Sequence, residues 1–283
     1  MGDADQYARK RHACSLRLDP PVPAEDLEYQ KSLLQMGFLR QPAGDMGNTQ
    51  PGFVYQIDIA GKEPAQILQH FTPKARYNTR VAKRKGVQIW QGGAERVHEF
   101  HRLLLETGRR DGFVVREQAY YQNLLEQMGE HARLFMADYE GKALAGAISI
   151  WFGRHAWYLY GASSQQHREA MPNYLMQYTM MLWAGEKGCA IYDMRGISGD
   201  FSPDSPRYGL YRFKRGFNGY VREYVGEYEK PVGHVIYACY RAALKVRRWH
   251  KSWLLYRFQR EQSGNQGKDA GAQRKVRMRR GKA

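Results

Sequence analysis

The spacing of hydrophobic residues along the chain predicts alternating strands and helices. Residues 14–20, "CSLRLDP", alternate apolar and polar positions, which is typical of a strand. Residues 24–38 show helical spacing that ends at Gly37, and residues 53–59, "FVYQIDI", predict a second strand. Two helices with proline in the first turn follow, and then the strand "VQIWQG". The first part of the chain therefore has α/β character, although its first strand has no preceding structure to pair with.

The second part of the chain predicts a larger α/β unit. Helices are expected over residues 95–108 and 117–129, before three apolar runs within 133–163. Glycine-containing turns separate these runs, which predicts an antiparallel meander. A long helix with Pro172 near its start, a strand, a helix and one final strand, "YVREYVGEY", complete the unit.

The C-terminal sequence predicts a basic helix followed by a disordered tail. Apolar side chains recur at steps of three or four over residues 234–258, and the chain from about Ser263 is too polar to bury a core. Residues 241–283 hold 14 Lys/Arg against 2 Asp/Glu, which is +12 of the formal net charge of +16. Such a segment favours an anionic partner, whether lipid headgroups, RNA or an acidic protein.

Composition restricts the class of protein. The chain has 283 residues with 43% hydrophobic content, enough for one large or two modest domains. Its three cysteines lie far apart without a CxxC pair, so the sequence suggests neither a disulfide framework nor a zinc site. We find no signal-peptide pattern and no apolar stretch that approaches the length of a bilayer span. We therefore expect a cytoplasmic protein that is soluble or at most peripheral to the membrane.

The predicted order of elements is typical of acyltransferases of the GNAT type. Coenzyme A binding in such an enzyme relies on a glycine-rich loop after the central strand, where backbone N–H groups hold the pyrophosphate. The corresponding segment here is "GASSQQHREAMPNY", which has no glycine in the turn itself. The sequence therefore argues against a coenzyme A cradle.

Five segments carry a family resemblance: "KARYNTRVAKRKGVQI", "LFMADYEGKALAGAISI", "WYLYGASSQQHREAMPNYLMQYTMMLWAGEKG", "YDMRGI" and "LYRFKRGFNGYVREYVGEY". In this order they resemble the FemABX family of tRNA-dependent aminoacyltransferases, which build peptidoglycan interpeptide bridges, and the resemblance covers roughly residues 14–240. It implies an aminoacyl-tRNA donor, a lipid-linked or nucleotide-linked muramyl pentapeptide acceptor, and neither a metal nor coenzyme A. We therefore expect an α/β (α+β) fold of tandem GNAT-like domains.

The resemblance also implies domain boundaries. We expect a partial first GNAT-like domain over residues 1–92, a second GNAT-like domain over 93–232, a basic amphipathic helix over 233–262 and a disordered basic tail over 263–283. Family members usually carry about one hundred further residues before the first strand. The first domain is therefore expected to be incomplete at its N-terminus.

The heptapeptide "YRFKRGF" places Lys214 between two phenylalanines. When an amine attacks the ester of an aminoacyl-tRNA, a tetrahedral oxyanion develops and needs a fixed positive donor in a dry site. The resemblance assigns that role to Lys214, with Phe213 packed beside it, and we expect both to be catalytic. A surface lysine lying over a strand or helix would explain the same pattern.

Arg116 and Tyr120 lie one helical turn apart, so their side chains share a face. The resemblance implies that this pair contacts the pyrophosphate-sugar part of the muramyl substrate, for which a guanidinium is suited; an ordinary exposed pair is the alternative. Tyr158 and Tyr160 alternate on a predicted strand, so we expect them on one face. The resemblance puts such tyrosines beside the substrate, and core packing would explain them as well.

Asp19 precedes Pro20 at the end of the first predicted strand. The resemblance implies that this aspartate faces the acceptor, where it orients or deprotonates the attacking ammonium. Aspartate before proline is also a common way to start a turn, which leaves a purely structural interpretation open.

The expected function is transfer of an amino acid from tRNA to the stem-peptide amine of a peptidoglycan precursor. A location at the inner face of the membrane would follow if the basic C-terminal helix contacts anionic lipid. Two alternatives remain: an inactive or truncated relative that binds membrane or RNA, and a coenzyme A-dependent N-acyltransferase.

Overall fold

The computed structural model describes residues 2–41, 49–233, 235–244 and 246. The strands are β1 (Ser15–Leu18), β2 (Leu39–Arg40), β3 (Phe53–Asp58), β4 (Gln88–Gly92), β5 (Ala132–Tyr139), β6 (Lys142–Phe152), β7 (His155–Ser163), β8 (Ile191–Gly196), β9 (Tyr220–Glu223) and β10 (Tyr228–Pro231). The helices are α1 (Gly2–Lys10), α2 (Leu27–Gln35), α3 (Pro64–His70), α4 (Pro73–Lys85), α5 (Val97–Asp111), α6 (Gln118–Met128), α7 (Pro172–Glu186) and α8 (Tyr208–Arg215). Residues 235–244 and 246 are also helical.

The chain divides into two compact units. The smaller unit contains the residues up to Leu18, Leu33–Arg40 and the described residues from Tyr228 onward, and the larger unit contains Asp19–Ser32 and Gln41–Glu227. The sequence placed a boundary between residues 92 and 93 instead. The structure does not divide there, because β3 and β4 belong to the same seven-stranded sheet as β5 to β9.

The smaller unit is built on a three-stranded antiparallel sheet in the order β1-β10-β2. Strand β1 therefore does have a partner, which comes from the opposite end of the sequence. The single final strand predicted from the sequence is in fact two strands, β9 and β10, in different sheets. Gly226 lies between them with φ +83°, a left-handed conformation that glycine adopts without steric cost and that ends an extended run.

The larger unit is built on a seven-stranded sheet in the order β4-β5-β6-β7-β8-β3-β9. Its strands pair antiparallel except for β7 and β8, which run parallel and are connected through α7. Only three residue pairs join β7 to β8, from His155↔Ile191 to Trp157↔Asp193. Beyond that point the two strands no longer pair, and a gap opens between Ser163 at the end of β7 and Gly196 at the end of β8.

Both faces of this sheet are covered by helices. Alternate residues of a strand face opposite sides, and β5 shows this directly: Phe135 and Ala137 belong to one buried cluster, whereas Leu134 and Met136 belong to the other. The first cluster includes side chains from α3, α4 and α7, and the second includes side chains from α5 and α6. The buried apolar area on both faces makes the sheet a rigid support for the loops at its ends.

Two irregularities in the sheet lie next to the gap. In β7, Ile148 pairs with Tyr160 and Ser149 with Tyr158, so Leu159 is one extra residue. In β8, the corresponding irregularity leaves Met194 and Arg195 opposite a single residue of β3, and Arg195 has φ +63°. Such bulges change which way side chains point and often lie beside functional sites.

The helix ends follow from local sequence. Thr72 accepts a hydrogen bond from the N–H of Ala75 at the start of α4, Pro73 occupies the first helical position, and Gly86 ends the helix in the left-handed conformation. No helix within the described ranges is long and apolar enough to cross a membrane.

Candidate functional site

A cavity of about 800 Å³ lies at the end of β7 and the start of α7. Its walls include Ser163 from β7, Thr72 before α4, and Phe213 from α8. Five basic side chains and one acidic side chain line it: Lys74, Arg110, Arg168, Arg212, Arg215 and Glu169. The cavity is therefore suited to an anionic ligand.

The start of α7 adds to this preference for anions. His167 and Met171 both have left-handed backbone conformations, with φ +49° and +55°, which are uncommon for residues other than glycine. They flank a short 3₁₀ helix and direct the chain into Pro172, the first residue of α7. The N-terminal end of a 15-residue helix carries a partial positive charge, and here it faces a basic cavity.

Lys214 is buried, with only 3% of its surface exposed. Its Nζ donates to the backbone carbonyls of Met194 at 2.7 Å, Arg195 at 3.2 Å and Gly196 at 2.7 Å. These carbonyls belong to the bulged end of β8, so Lys214 supplies hydrogen bonds where the regular ladder stops. All three N–H groups of the ammonium are used in this way, and Lys214 reaches an oxyanion only by exchanging one of them.

Burial strongly affects the charge of Lys214. Loss of hydration is the main cause that lowers the pKa of its ammonium to about 7; buried Asp193 opposes this effect, and the positive charge of Arg195 adds to it. Asp193 accepts hydrogen bonds from the side chain of Gln56 at 3.0 Å and from the N–H of Arg195. The bulge thus has a buried acid and a buried base, and Arg195 takes part in bonds to both.

Phe213 lines the cavity, unlike its neighbour Lys214. Its ring packs edge-on against Tyr174 at the start of α7, with ring centres 5.3 Å apart, and against Phe217 at the same distance. Phe213 therefore forms an aromatic wall of the basic cavity together with Tyr174.

Asp19 lies in a second polar group. Its Oδ2 accepts a hydrogen bond from the backbone N–H of Gln50 at 2.6 Å, and the side chain of Gln50 accepts one from Arg195 Nη2 at 2.5 Å. Burial raises the pKa of Asp19, nearby Glu227 raises it further, and the Gln50 hydrogen bond and Arg195 lower it. Arg195 therefore connects Asp19, through its side chain, to Lys214, through its backbone carbonyl.

Arg116, Tyr120 and Tyr160 come together on the other side of the sheet. The Arg116 guanidinium lies 4.6 Å from the centre of the Tyr120 ring, and the hydroxyls of Tyr120 and Tyr160 are 2.9 Å apart. Burial and the hydrogen bond with Tyr120 raise the pKa of Tyr160. Arg116 and Tyr120 are exposed and Tyr160 is half-buried, so this group presents a cation and a phenol to solvent beside a second phenol.

Tyr158 does not share a face with Tyr160, contrary to the prediction from strand alternation. Tyr158 packs with the buried cluster under α4 and α7, and Tyr160 packs with the cluster under α5 and α6. The extra residue Leu159 in the β7 bulge puts the two tyrosines on opposite sides. Burial raises the pKa of Tyr158 to about 12, as expected for a phenol in the core.

The sequence profile of the FemAB family matches residues 3–142 and 138–245, which together make up most of the chain. The chain belongs to the FemAB family. A relative from Staphylococcus epidermidis, named lipid II:glycine glycyltransferase, is 25% identical over 303 residues, covering 83% of this chain and 72% of the relative. FemAB-family membership makes this chain an enzyme of the acyltransferase class.

Solved structures agree with the family in fold. The crystal structure of FemX superposes with a TM-score of 0.77 at 24% identity, covering 84% of this chain and 77% of FemX. A tandem GNAT protein from the clavulanic acid biosynthesis pathway superposes with a TM-score of 0.50 at 14% identity, covering 82% of this chain and 68% of that protein. The predicted α/β fold related to tandem GNAT proteins is confirmed.

Two features of this FemAB-family site were missed by sequence reasoning. The basic cavity collects four arginines and a lysine from four separate segments, and no local motif joins them. Arg195 lies in the segment "YDMRGI", which carried the family resemblance, but only the bulge gives it a role. A positively charged residue near the end of an otherwise buried strand was the available signal.

The predicted basic C-terminal helix is described in part. Residues 235–244 and 246 are helical, as expected, and Nη1 of half-buried Arg241 lies 3.6 Å from Glu229 Oε2 within the smaller unit. Trp249, Trp253 and the tail beyond them lie outside the described residues.

Proposed function

We propose that this FemAB-family enzyme transfers an amino acid from an aminoacyl-tRNA to the stem-peptide amine of a peptidoglycan precursor. The names of its relatives, lipid II:glycine glycyltransferases, support the acceptor class and the type of bond formed. The observation that supports an RNA-linked donor is the basic cavity at the start of α7.

The cavity has the chemistry that a single-stranded RNA end requires. Phosphates of the RNA backbone pair with exposed Arg212 and Arg215, and the helix N-terminus adds to the positive field. The rings of Phe213 and Tyr174 offer faces and edges on which unpaired bases stack. A volume of about 800 Å³ accommodates a terminal nucleotide and its attached aminoacyl group.

The acceptor is proposed to bind at the two other polar groups described above, one around Arg116 and one around Asp19. Arg116, held over Tyr120, binds the diphosphate-sugar part, and the Tyr160 hydroxyl extends the polar surface. Asp19 takes a proton from the attacking ammonium. Its raised pKa makes it a stronger base than an ordinary carboxylate.

The proposed reaction balances simply. The neutral amine nitrogen bonds to the ester carbonyl carbon, the oxyanion collapses, and the carbon–oxygen bond to the RNA ribose breaks. Asp19 later releases the first ammonium proton to solvent, and the nitrogen of the tetrahedral adduct loses a second proton, which the departing ribose oxygen takes up. Lys214 remains the proposed oxyanion donor, and it acts by releasing one β8 carbonyl as the charge develops.

The experiment that tests the donor site uses arginine substitutions in the cavity. Arg212→Ala and Arg215→Ala should each weaken binding of aminoacyl-tRNA by about three- to tenfold and lower its salt slope by about one. Arg154→Ala is the matched control, because exposed Arg154 precedes β7 at the end away from the cavity, roughly 25 Å from Ser163. Equal losses in all three variants would contradict a specific RNA site.

The same measurements separate the alternatives. Saturable binding of acetyl-coenzyme A that the Arg212→Ala variant loses would favour a coenzyme A-dependent acyltransferase, since a helix N-terminus suits any pyrophosphate. Normal tRNA binding without amino acid transfer to a lipid-linked or nucleotide-linked acceptor would favour an inactive relative.

A further inference from the structure

The loop between α5 and α6 exposes two adjacent apolar side chains. Val114 is 96% exposed, the highest value among the large hydrophobic residues in the described part of the chain, and Phe113 is 46% exposed. Residues 109–120 are all exposed apart from Val115. Contiguous exposed apolar groups of this kind indicate a contact surface.

The loop is held in this conformation by ordered contacts. The backbone N–H groups of Gly112 and Phe113 both donate to the carbonyl of Gly108, at 2.9 and 3.1 Å. Val115 packs so closely over Gly108 that a Cβ there would lie 2.7 Å from it. The loop is therefore fixed on the end of α5 with Val114 pointing away from the core, and the exposure is a property of the fold.

The charges around the two apolar side chains fit an anionic surface. Arg110 and Asp111 pair with each other through two hydrogen bonds of 2.7 and 2.9 Å, which leaves Arg109, Arg116 and Glu117 as the other charged groups of the loop and its ends. The net charge of these three side chains is +1. Apolar side chains flanked by arginines are typical of segments that lie in the headgroup region of a membrane.

The position of Arg116 relates the loop to the proposed acceptor. Val114 precedes Arg116 by two residues, so their Cα atoms are at most about 7 Å apart. In a lipid-linked acceptor the diphosphate is joined directly to the lipid chain and therefore lies at the membrane surface. A guanidinium that binds this diphosphate must reach the same depth, and residues beside it then meet the lipid.

We propose that the loop 112–115 inserts Phe113 and Val114 into the membrane surface that carries the lipid-linked acceptor. This inference rests on the proposed function, in which Arg116 binds the diphosphate. It gives the enzyme a contact with the lipid surface beside its proposed acceptor site.

The test compares two acceptors and two surface positions in the full chain. Val114→Asp should reduce sedimentation with phosphatidylglycerol vesicles about tenfold in 0.5 M salt, where attraction of the basic tail is screened. It should raise the KM for a lipid-linked acceptor in those vesicles by a similar factor, and leave kcat and KM for a nucleotide-linked acceptor unchanged. Val114→Trp should retain or strengthen vesicle binding. Phe152→Asp is the matched control, because Phe152 is 74% exposed at the β6–β7 turn.

The outcomes distinguish failure of the loop proposal from failure of the proposed function. Vesicle binding by Val114→Asp equal to that of the unaltered chain, or equal losses in Phe152→Asp, would overturn the loop proposal, as would an unaltered chain that does not bind vesicles. Absence of transfer to either acceptor by the unaltered enzyme would instead overturn the proposed function. Unchanged thermal midpoints would show that both variants fold.

Discussion

A lysine buried in a protein core loses its hydration, and Lys214 recovers part of that loss from three backbone carbonyls at the β8 bulge. Lysine has an ordinary pKa of 10.5, and burial lowers that of Lys214 to about 7. Between these values the unfolded chain binds one more proton than the folded chain. The contribution of Lys214 to the free energy of unfolding therefore increases as the pH rises from 7 toward 10.5.

We predict that Lys214→Met removes this pH dependence. The difference in free energy of unfolding between the unaltered chain and the variant should grow with pH from 7 to 10, by about 1 kcal/mol per unit. At pH 9 the variant should be less stable by about 1–3 kcal/mol, because buried carbonyls lose their donor. Urea titrations at several pH values measure both quantities, and a difference that stays constant with pH would contradict the buried titration.

The oxyanion role of Lys214 makes a separate prediction about turnover. If Lys214 stabilises the developing oxyanion, Lys214→Ala should raise the barrier by about 3 kcal/mol with little change in acceptor affinity. Single-turnover rates with charged tRNA measure this directly. Near-normal turnover in a folded variant would leave Lys214 with its role at the bulge alone.

The family resemblance indicated Lys214, Asp19 and Arg116, because the local sequence of each also had a purely structural interpretation. The sequence could not predict which bonds they make. The three carbonyls bound by Lys214 lie 18 to 20 positions earlier in the chain, and they need a donor only because a bulge interrupts the β8 ladder. Arg195 was missed for the same reason.

Most elements of the larger unit follow from hydrophobic spacing and turn residues, but the β7 bulge does not. A regular strand would put Tyr158 and Tyr160 on one face, and the extra residue Leu159 separates them. A bulge needs only one residue without a partner, and hydrophobic spacing does not show where that residue lies. Its effect on the site is large, because only Tyr160 joins Arg116 and Tyr120.

We predict different effects for the two tyrosines. Tyr160→Phe removes the 2.9 Å hydrogen bond with Tyr120 and should raise the KM for a nucleotide-linked acceptor about three- to tenfold. Tyr158→Phe is the matched control and should leave this KM unchanged, because its ring lies in the opposite core. Steady-state kinetics of both variants decide the point. A raised KM for Tyr158→Phe would mean that the acceptor contacts both faces of β7.

At the scale of the whole molecule, the smaller unit depends on pairing between distant parts of the chain. Strand β1 pairs with β10, more than 200 residues later, over four residue pairs from Ser15↔Pro231 to Leu18↔Tyr228. Local spacing identified β1 as a strand but could not identify its partner. The predicted domain boundary differs from the two compact units for a related reason, because β3 enters the large sheet between β8 and β9.

The basic tail allows a prediction for the whole chain. Removing residues 249–283 deletes ten Lys/Arg and two Asp/Glu, and should weaken binding both to tRNA and to anionic vesicles at low salt. Neutral vesicles are the control. Unchanged binding to anionic vesicles would eliminate a membrane role for the tail, and loss of tRNA binding in the same protein would favour an RNA role.

The short parallel pairing of β7 and β8 has a mechanical consequence. Three residue pairs at one end join four strands, β4 to β7, to three strands, β8, β3 and β9, so the two parts of the large sheet share few backbone hydrogen bonds and are held together mainly by side-chain packing. Strands β7 and β8 form no ladder pairs at the end of β7 where the basic cavity lies. A ligand in the cavity contacts Ser163 of β7 and Phe213 of α8, and α8 is bonded to β8 through Lys214, so the ligand adds a connection between the two parts of the sheet. Occupancy of the cavity should therefore slow amide hydrogen exchange in β8 as well as in the residues that the ligand contacts.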